Sequence, residues 1–137
     1  MTANEIPVSR HISTVIAADP RQVYEYVANP DHLRDWAAGL AAADEVRRDG
    51  DELVVQSPMG TVRVRFAEAN DYGVLDHWVT LPTGEVVYNP LRVIAHPDGA
   101  EIIFTVRQLA ATGGEFDADC AAVVRDLQSL REILSSR

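Results

Sequence analysis

His77 and Asn89 are the side chains of this sequence whose types and predicted positions best fit acid–base chemistry. An imidazole with an ordinary pKa of about 6.5 can take up or release a proton near neutral pH. His77 could remove a proton beside a carbonyl or assist the loss of hydroxide. Asn89 could hold the imidazole or polarise a carbonyl. The alternative is a structural pair, in which the two side chains hydrogen-bond to each other because an unpaired buried polar group costs about 1–3 kcal/mol.

Other patterns that carry chemistry are weaker. The remaining histidines, His11, His32 and His96, are scattered without HxH or HExxH spacing, so we predict no metal site. Cys120 is the one cysteine, and its place on an apolar helical stripe is typical of a small core side chain. All 12 basic residues are arginines, which excludes lysine Schiff-base chemistry and a lysine-bearing phosphate loop. We predict no cofactor.

The charge balance limits the kinds of partner. The 137 residues include 21 acidic and 12 basic side chains, which gives a formal net charge of −9. This charge argues against nucleic acid and against a polybasic membrane anchor. The sequence has neither an apolar N-terminal signal nor a run of about 18 apolar residues that could span a membrane. We expect one cytoplasmic domain over residues 1–137, without a membrane partner.

The first third of the chain predicts one strand followed by two short helices. Residues 11–18 alternate and are rich in β-branched side chains, which favours a strand. Asp19 and Pro20 suit a helix start, with Gln22 at the third position of a capping box. The pair Asn29-Pro30 repeats this signal for a second short helix, which we expect to end at Gly39.

The remainder predicts an antiparallel meander and a long helix. Residues 43–108 alternate with a period of two, and turn signals at 49–50, 58–60, 70–73, 82–84 and 97–99 divide them into about six strands. From Phe116 to Leu134 apolar residues recur every three or four positions, and Thr112 with Glu115 has capping-box spacing. The order is therefore β-α-α-β6-α, an α+β fold in which the last helix covers one sheet face.

Folding the strands about these turns predicts which side chains share a face. The expected cross-strand pairs of the apolar face are Phe66–Leu75, Val64–His77, Val62–Val79, Val79–Val87, His77–Asn89, Leu75–Leu91 and Leu91–Phe104. His77 and Asn89 are the polar interruptions of this face. Asp76 precedes His77, but neighbours along a strand point to opposite faces, so we do not expect them to cooperate.

The opposite face of the predicted sheet is polar. The expected register places Arg65 across from Asp76 and Trp78 across from Tyr88. One interpretation is a solvated face with exposed ion pairs, each worth about 0–1 kcal/mol. The other is a protein interface or a homodimer through Trp78 and Tyr88, because aromatic and arginine side chains are enriched at interfaces.

Three stretches, residues 11–36, 58–66 and 73–82, resemble the SRPBCC superfamily, also called START or Bet v 1-like. Within it the chain is similar to small bacterial proteins described as polyketide cyclase/dehydrase-like. The resemblance covers nearly the whole chain. It implies a helix-grip fold, in which a curved antiparallel sheet of about seven strands wraps around the C-terminal helix and leaves a cavity. It also implies binding of apolar or aromatic small molecules, and catalysis in only some members. No family catalytic residue can be carried over.

The main hypothesis is therefore a cavity that binds a polyketide-like or lipid-like molecule. Such cavities are mostly apolar, with a few polar groups that orient the ligand. The expected lining residues are Tyr24, Trp36, Phe66, Leu75, Val79, Leu91, Phe104 and Phe116. Tyr24 and Trp36 could equally belong to the core. The alternatives are a cyclase or dehydratase that uses His77, and a protein-interaction module that uses the outer face of the sheet.

Overall fold

The computed structural model describes residues 8–38, 45–57 and 60–135. The strands are β1 Ser9–Ile16, β2 Glu45–Asp49, β3 Glu52–Ser57, β4 Gly60–Phe66, β5 His77–Thr80, β6 Val86–Asn89, β7 Leu91–His96 and β8 Gly99–Arg107. The helices are α1 Pro20–Ala28, α2 Leu33–Trp36, which follows a 3-10 turn at Pro30–His32, and the long α3 Gly113–Ser135. Residues 58 and 59 of one expected turn, and the helix end expected at Gly39, lie outside the described residues.

Local hydrogen bonds begin the helices where the sequence predicts them. The Asp19 carboxylate accepts from the Arg21 backbone N–H at 2.8 Å, and the Gln22 side chain accepts from the Asp19 N–H at 3.3 Å. At α3, Glu115 and Thr112 exchange side-chain-to-backbone bonds of 2.9 and 3.1 Å. Both predicted capping boxes are confirmed. Among the described residues, no helix is long and apolar enough to cross a membrane.

The strands form two antiparallel sets, β2-β3-β4-β5-β6 and β1-β8-β7. They join where β6 and β7 follow each other around Pro90, which has no N–H to donate. The N–H of Leu75 donates to the Leu91 carbonyl at 2.8 Å, and the N–H of Thr105 donates to the Pro90 carbonyl at 3.0 Å. With β6 and β7 taken as one interrupted strand, the sheet has the predicted seven strands. The predicted α+β helix-grip fold is confirmed.

The core lies between this sheet and the helices. The α3 helix packs mainly on β1 and β8, while α1 packs on β7 and β8. The largest fully buried side chains are Ile16, Val23, Val27, Val54, Leu91, Ile102, Leu127 and Leu130. Each such burial contributes about 1.5–3 kcal/mol. Because α3 lies over β1 and β8, the inner faces of β4, β5 and β6 are less completely covered.

Two of the three predicted registers are confirmed. His77 pairs with Asn89 between β5 and β6, and Leu91 pairs with Phe104 between β7 and β8. The register of β4 against β5 is wrong by two residues, since Phe66 lies opposite His77 rather than Leu75. A shift of two residues keeps every side chain on its expected face.

The loop between β4 and β5 explains the shift. The side chain of Asn70 donates to the carbonyls of Glu68 and Val74, both at 2.9 Å. It also accepts from the N–H groups of Tyr72 and Val74 at 3.0 and 3.1 Å. These four bonds hold a loop that is wider than a tight hairpin turn. Pairing resumes only where the N–H of Ala67 donates to the Asp76 carbonyl at 2.8 Å.

Candidate functional site

Five half-buried side chains share the inner face of four neighbouring strands: Phe66, His77, Val79, Asn89 and Phe104. We call them the inner cluster. The ring centroids of Phe66 and His77 are 5.0 Å apart. Phe104 meets the imidazole edge-on at 5.7 Å. The inner cluster is thus a partly covered apolar surface with an imidazole at its centre.

The hydrogen bond of His77 defines the state of its ring. Its Nδ1 lies 3.2 Å from the backbone carbonyl of Leu75. A carbonyl only accepts hydrogen bonds, so Nδ1 carries the proton and Nε2 of the neutral ring is left unprotonated. Burial lowers the pKa of His77, and the Leu75 carbonyl and the Asp76 charge offset this only in part. The imidazole is therefore neutral at pH 7, with Nε2 able to accept a proton.

The Leu75 carbonyl that bonds His77 is not bonded to its usual backbone donor, the N–H of Leu91. In a hydrogen-bonded antiparallel pair two residues exchange both N–H···O bonds. Leu75 donates to Leu91, but the N–H of Leu91 donates instead to Oδ1 of Asp76 at 2.9 Å. Asp76 therefore takes the backbone donor that would ordinarily bond the Leu75 carbonyl, and the proton on Nδ1 of His77 donates to that carbonyl.

Asp76 is buried, with 5% of its surface exposed. Its carboxylate accepts from Nε and Nη2 of Arg92 at 3.0 and 2.8 Å, and from the Tyr88 hydroxyl at 2.5 Å. The hydrogen bonds from Arg92, with smaller contributions from Tyr88 and Leu91, hold the pKa of Asp76 at about 2, against the opposing effect of burial. The expectation that Asp76 lies exposed opposite Arg65 is wrong.

The sequence does contain a signal for the partners of this carboxylate. The confirmed register of β5 against β6, continued along the chain, places Asp76 opposite Pro90 and diagonal to Tyr88 and Arg92. Cross-strand diagonal neighbours are within reach of long side chains. Since Pro90 offers no N–H, a carboxylate at position 76 can turn toward the next donor along the chain.

The expected hydrogen bond between His77 and Asn89 is not formed. The two residues are cross-strand partners, as predicted, but Nδ1 of His77 is already committed to the Leu75 carbonyl. Asn89 therefore adds a carboxamide to the inner cluster without orienting the imidazole. The structure brings His77 and Asn89 together as cross-strand partners, while the Leu75 backbone carbonyl orients the imidazole.

Three predicted lining residues lie in the packed core. Leu75 and Leu91 are buried in the main hydrophobic core. Phe116 is buried in a smaller group with Val106 and Cys120. These residues pack as core side chains, which also fits the expectation for Cys120.

Tyr24 and Trp36 lie apart from the inner cluster in the chain. The Tyr24 hydroxyl accepts from the backbone N–H of Asn70 at 3.0 Å, so Tyr24 anchors the loop between β4 and β5. Trp36 on α2 is 6% exposed, and its indole N–H has no hydrogen-bond partner in the described part of the chain. Both are buried, as the core interpretation expects.

Surface cavities of about 370, 480 and 740 Å³ are lined by residues outside the inner cluster. Tyr24 contributes to the second of them. Across residues 8–38, 45–57 and 60–135, no three histidine, cysteine, aspartate or glutamate side chains gather as metal ligands. The chemistry that the inner cluster offers is therefore apolar contact, one neutral imidazole and one carboxamide.

An antiparallel sheet that holds a long C-terminal helix, with a partly covered apolar inner face, defines the helix-grip class of proteins. The chain belongs to the family described as polyketide cyclase / dehydrase and lipid transport, whose model matches residues 8–134. This family is of the SRPBCC type, as the sequence predicts. Comparison with curated proteins gives no match.

Solved structures share the fold at low sequence identity. A protein of unknown function from Staphylococcus aureus is 14% identical, with a TM-score of 0.71 and 98% of each chain covered. A protein from Chromobacterium violaceum is 11% identical, with a TM-score of 0.69, and 93% of this chain and 97% of that chain are covered. Ara h 8.0201 is 14% identical, with a TM-score of 0.65, and 96% of this chain and 99% of that chain are covered. At these identities the similarity establishes the fold.

Proposed function

We propose that the inner cluster binds an apolar or aromatic small molecule of polyketide-like or lipid-like character. The observation that carries this proposal is that Phe66, His77, Val79 and Phe104 stay half-buried while the core beside them is fully buried. Ligand sites are mostly apolar and carry a few polar groups, as the inner cluster does. Family membership supports ligand binding in general.

A neutral apolar fluorophore tests the proposal. N-phenylnaphthylamine is titrated into the protein, and saturable fluorescence enhancement at one site is expected. Val79→Phe adds bulk to the inner cluster and is expected to weaken binding by about tenfold, the equivalent of 1.4 kcal/mol. Val86→Phe is the matched control, because Val86 lies on the same hairpin and is exposed. Circular dichroism checks that both variants fold.

Two results would contradict the proposal. One is the absence of saturable enhancement with the unmodified protein. The other is an equal loss of binding in Val79→Phe and Val86→Phe, since equal loss would show that the fluorophore does not occupy the inner cluster.

A second candidate function is proton transfer, as in a cyclase or dehydratase, with His77 as general base. The supporting observation is the neutral ring with its proton on Nδ1, which leaves Nε2 able to take a proton. In dehydration His77 removes the proton beside a carbonyl, the imidazolium so formed gives that proton to the departing β-hydroxyl, water leaves, and a carbon–carbon double bond forms. The Asn89 carboxamide is positioned on the same face.

The test is a β-hydroxyketone whose dehydration to the enone is followed by ultraviolet absorbance. His77→Gln is expected to retain binding of N-phenylnaphthylamine and to lose turnover. Turnover that persists in His77→Gln would exclude His77 as the base and leave the binding proposal standing. If the unmodified protein binds the fluorophore and produces no enone, the binding function alone is supported.

A further inference from the structure

Four side chains form a continuous row across the outer face of the sheet. In strand order they are Arg65 on β4, Trp78 on β5, Tyr88 on β6 and Arg107 on β8. We call this row the outer ridge. The Arg65 guanidinium lies 4.6 Å from the Trp78 ring, Trp78 and Tyr88 stack at 5.2 Å, and Arg107 lies 5.5 Å from the Tyr88 ring.

The strand order determines which parts of the two rings remain free. Trp78 has Arg65 on one side and Tyr88 on the other, and Tyr88 has Trp78 and Arg107. Both faces of each ring are therefore covered, and the rings present their edges outward. Ring edges carry the positive part of the aromatic quadrupole. The edges and the two guanidinium groups together present a positive strip.

The two terminal arginines have no carboxylate partner among the described residues. Glu52 is the cross-strand neighbour of Arg65, but its carboxylate pairs with Arg63 at 3.5 Å. Asp76 accepts from the hydroxyl of Tyr88 in the row, and its carboxylate is paired with Arg92. The N–H donors of Arg65 and Arg107 are thus available on a chain whose net charge is −9.

We propose that the outer ridge docks an acidic segment of a partner protein, with one carboxylate on each terminal arginine. Guanidinium–carboxylate bonds are charge-assisted and directional, so two of them fix a segment across the row. The ends of the row are separated by three strand spacings, about 14 Å. An extended peptide rises about 3.3 Å per residue, so carboxylates four residues apart match this separation.

Other occupants fit the outer ridge less well. A second copy of this chain, related by a twofold axis, would need a self-complementary patch. The ridge has free arginines and no free carboxylate, so two copies would face each other with like charges. Single-stranded nucleic acid binds by stacking bases on aromatic faces, and both faces of Trp78 and Tyr88 are covered.

The test is a nuclear magnetic resonance titration with a capped heptapeptide of serine and glycine that carries glutamate at its second and sixth positions. The indole N–H of Trp78 is expected to shift saturably, while that of the buried Trp36 serves as an internal control. Replacement of both glutamates by glutamine, or of Arg65 and Arg107 together by glutamine, is expected to weaken binding at least about tenfold. Arg48→Gln is the matched control, because Arg48 is exposed on β2 away from the row.

Several results would overturn the proposal. These are no saturable shift of Trp78, equal binding of the glutamine peptide, or equal weakening in Arg48→Gln. A Trp78 shift that depends on protein concentration alone would instead assign the outer ridge to a second copy. A larger response to oligodeoxythymidine than to the peptide would assign it to nucleic acid.

Discussion

Asp76 and His77 are adjacent in the chain and lie on opposite faces of one sheet, in contrasting surroundings. On the outer face, Asp76 receives hydrogen bonds from Arg92, Tyr88 and the Leu91 backbone. On the inner face, His77 has one hydrogen bond with the described residues, to the Leu75 carbonyl. The carboxylate is held charged, with its pKa near 2, while burial keeps the imidazole neutral.

The contrast distinguishes a polar side chain whose hydrogen bonds are used within the fold from one that could still bond a ligand. Asp76 uses its hydrogen-bonding capacity within the fold and joins β5 to the junction of β6 and β7. His77 retains an unprotonated Nε2, and Asn89 beside it is not bonded to the ring. A polar group that the fold leaves incompletely used on an apolar surface is a feature expected of a ligand site.

Asp76→Asn tests the hydrogen-bonded carboxylate on the outer face and is expected to change the unfolding free energy more than the other substitutions. The substitution leaves the Arg92 guanidinium and the Tyr88 hydroxyl with weaker partners, which costs about 3 kcal/mol of unfolding free energy. Urea denaturation measures the loss. Asp71→Asn is the matched control, because Asp71 is exposed in its ion pair with Arg21, and no resolvable change is expected.

The prediction for Asp76→Asn extends to the dependence of the unfolding free energy on pH below about 4. The pKa of Asp76 is about 2 in the folded chain and has an ordinary value of 3.8. The contribution of the charged carboxylate to the unfolding free energy is therefore complete above pH about 4 and is lost as the pH falls through about 2. The pKa difference corresponds to a contribution of about 2 kcal/mol. The stability difference between the unmodified protein and Asp76→Asn should shrink over this range. A constant difference would contradict the assignment.

His77→Gln tests the inner face, where the imidazole keeps an unprotonated nitrogen. Because burial lowers the pKa of His77 below its ordinary 6.5, the unfolded chain binds this proton more readily than the folded chain. The unfolding free energy is therefore not reduced by this group above pH 6.5, and it falls as the pH drops below that value. Urea denaturation between pH about 7 and 5 should show this decline in the unmodified protein and a smaller one in His77→Gln. Parallel profiles would show that the ring is not buried as a neutral group.

Arg65→Gln is expected to have the smallest effect. It removes one partly exposed cation–π contact with Trp78, worth about 0.5 kcal/mol of unfolding free energy. Arg48→Gln should leave stability unchanged within error. If Arg65→Gln instead lost as much stability as Asp76→Asn, the outer ridge would be a structural element rather than a surface free to bind.

Much of the inner cluster was predictable from alternation, and its hydrogen bonding was not. Period-two patterning assigned Phe66, Val79 and Phe104 to the inner face, and the short turns gave the pairing of His77 with Asn89. The shift of β4 against β5 depends on four hydrogen bonds of the Asn70 side chain. No hydrophobic pattern encodes such bonds, and a two-residue shift leaves that pattern unchanged.

The sequence by itself determined the features that arise between near neighbours. Asp19 with Gln22 and Thr112 with Glu115 begin the helices because the bonded groups are three residues apart. Alternation determined the faces of the strands for the same local reason. Only the tertiary structure decided that Asp76 is buried and His77 keeps a free nitrogen. The environment of Asp76 depends on donors 12 to 16 residues away, which reach its carboxylate only when the strands have paired.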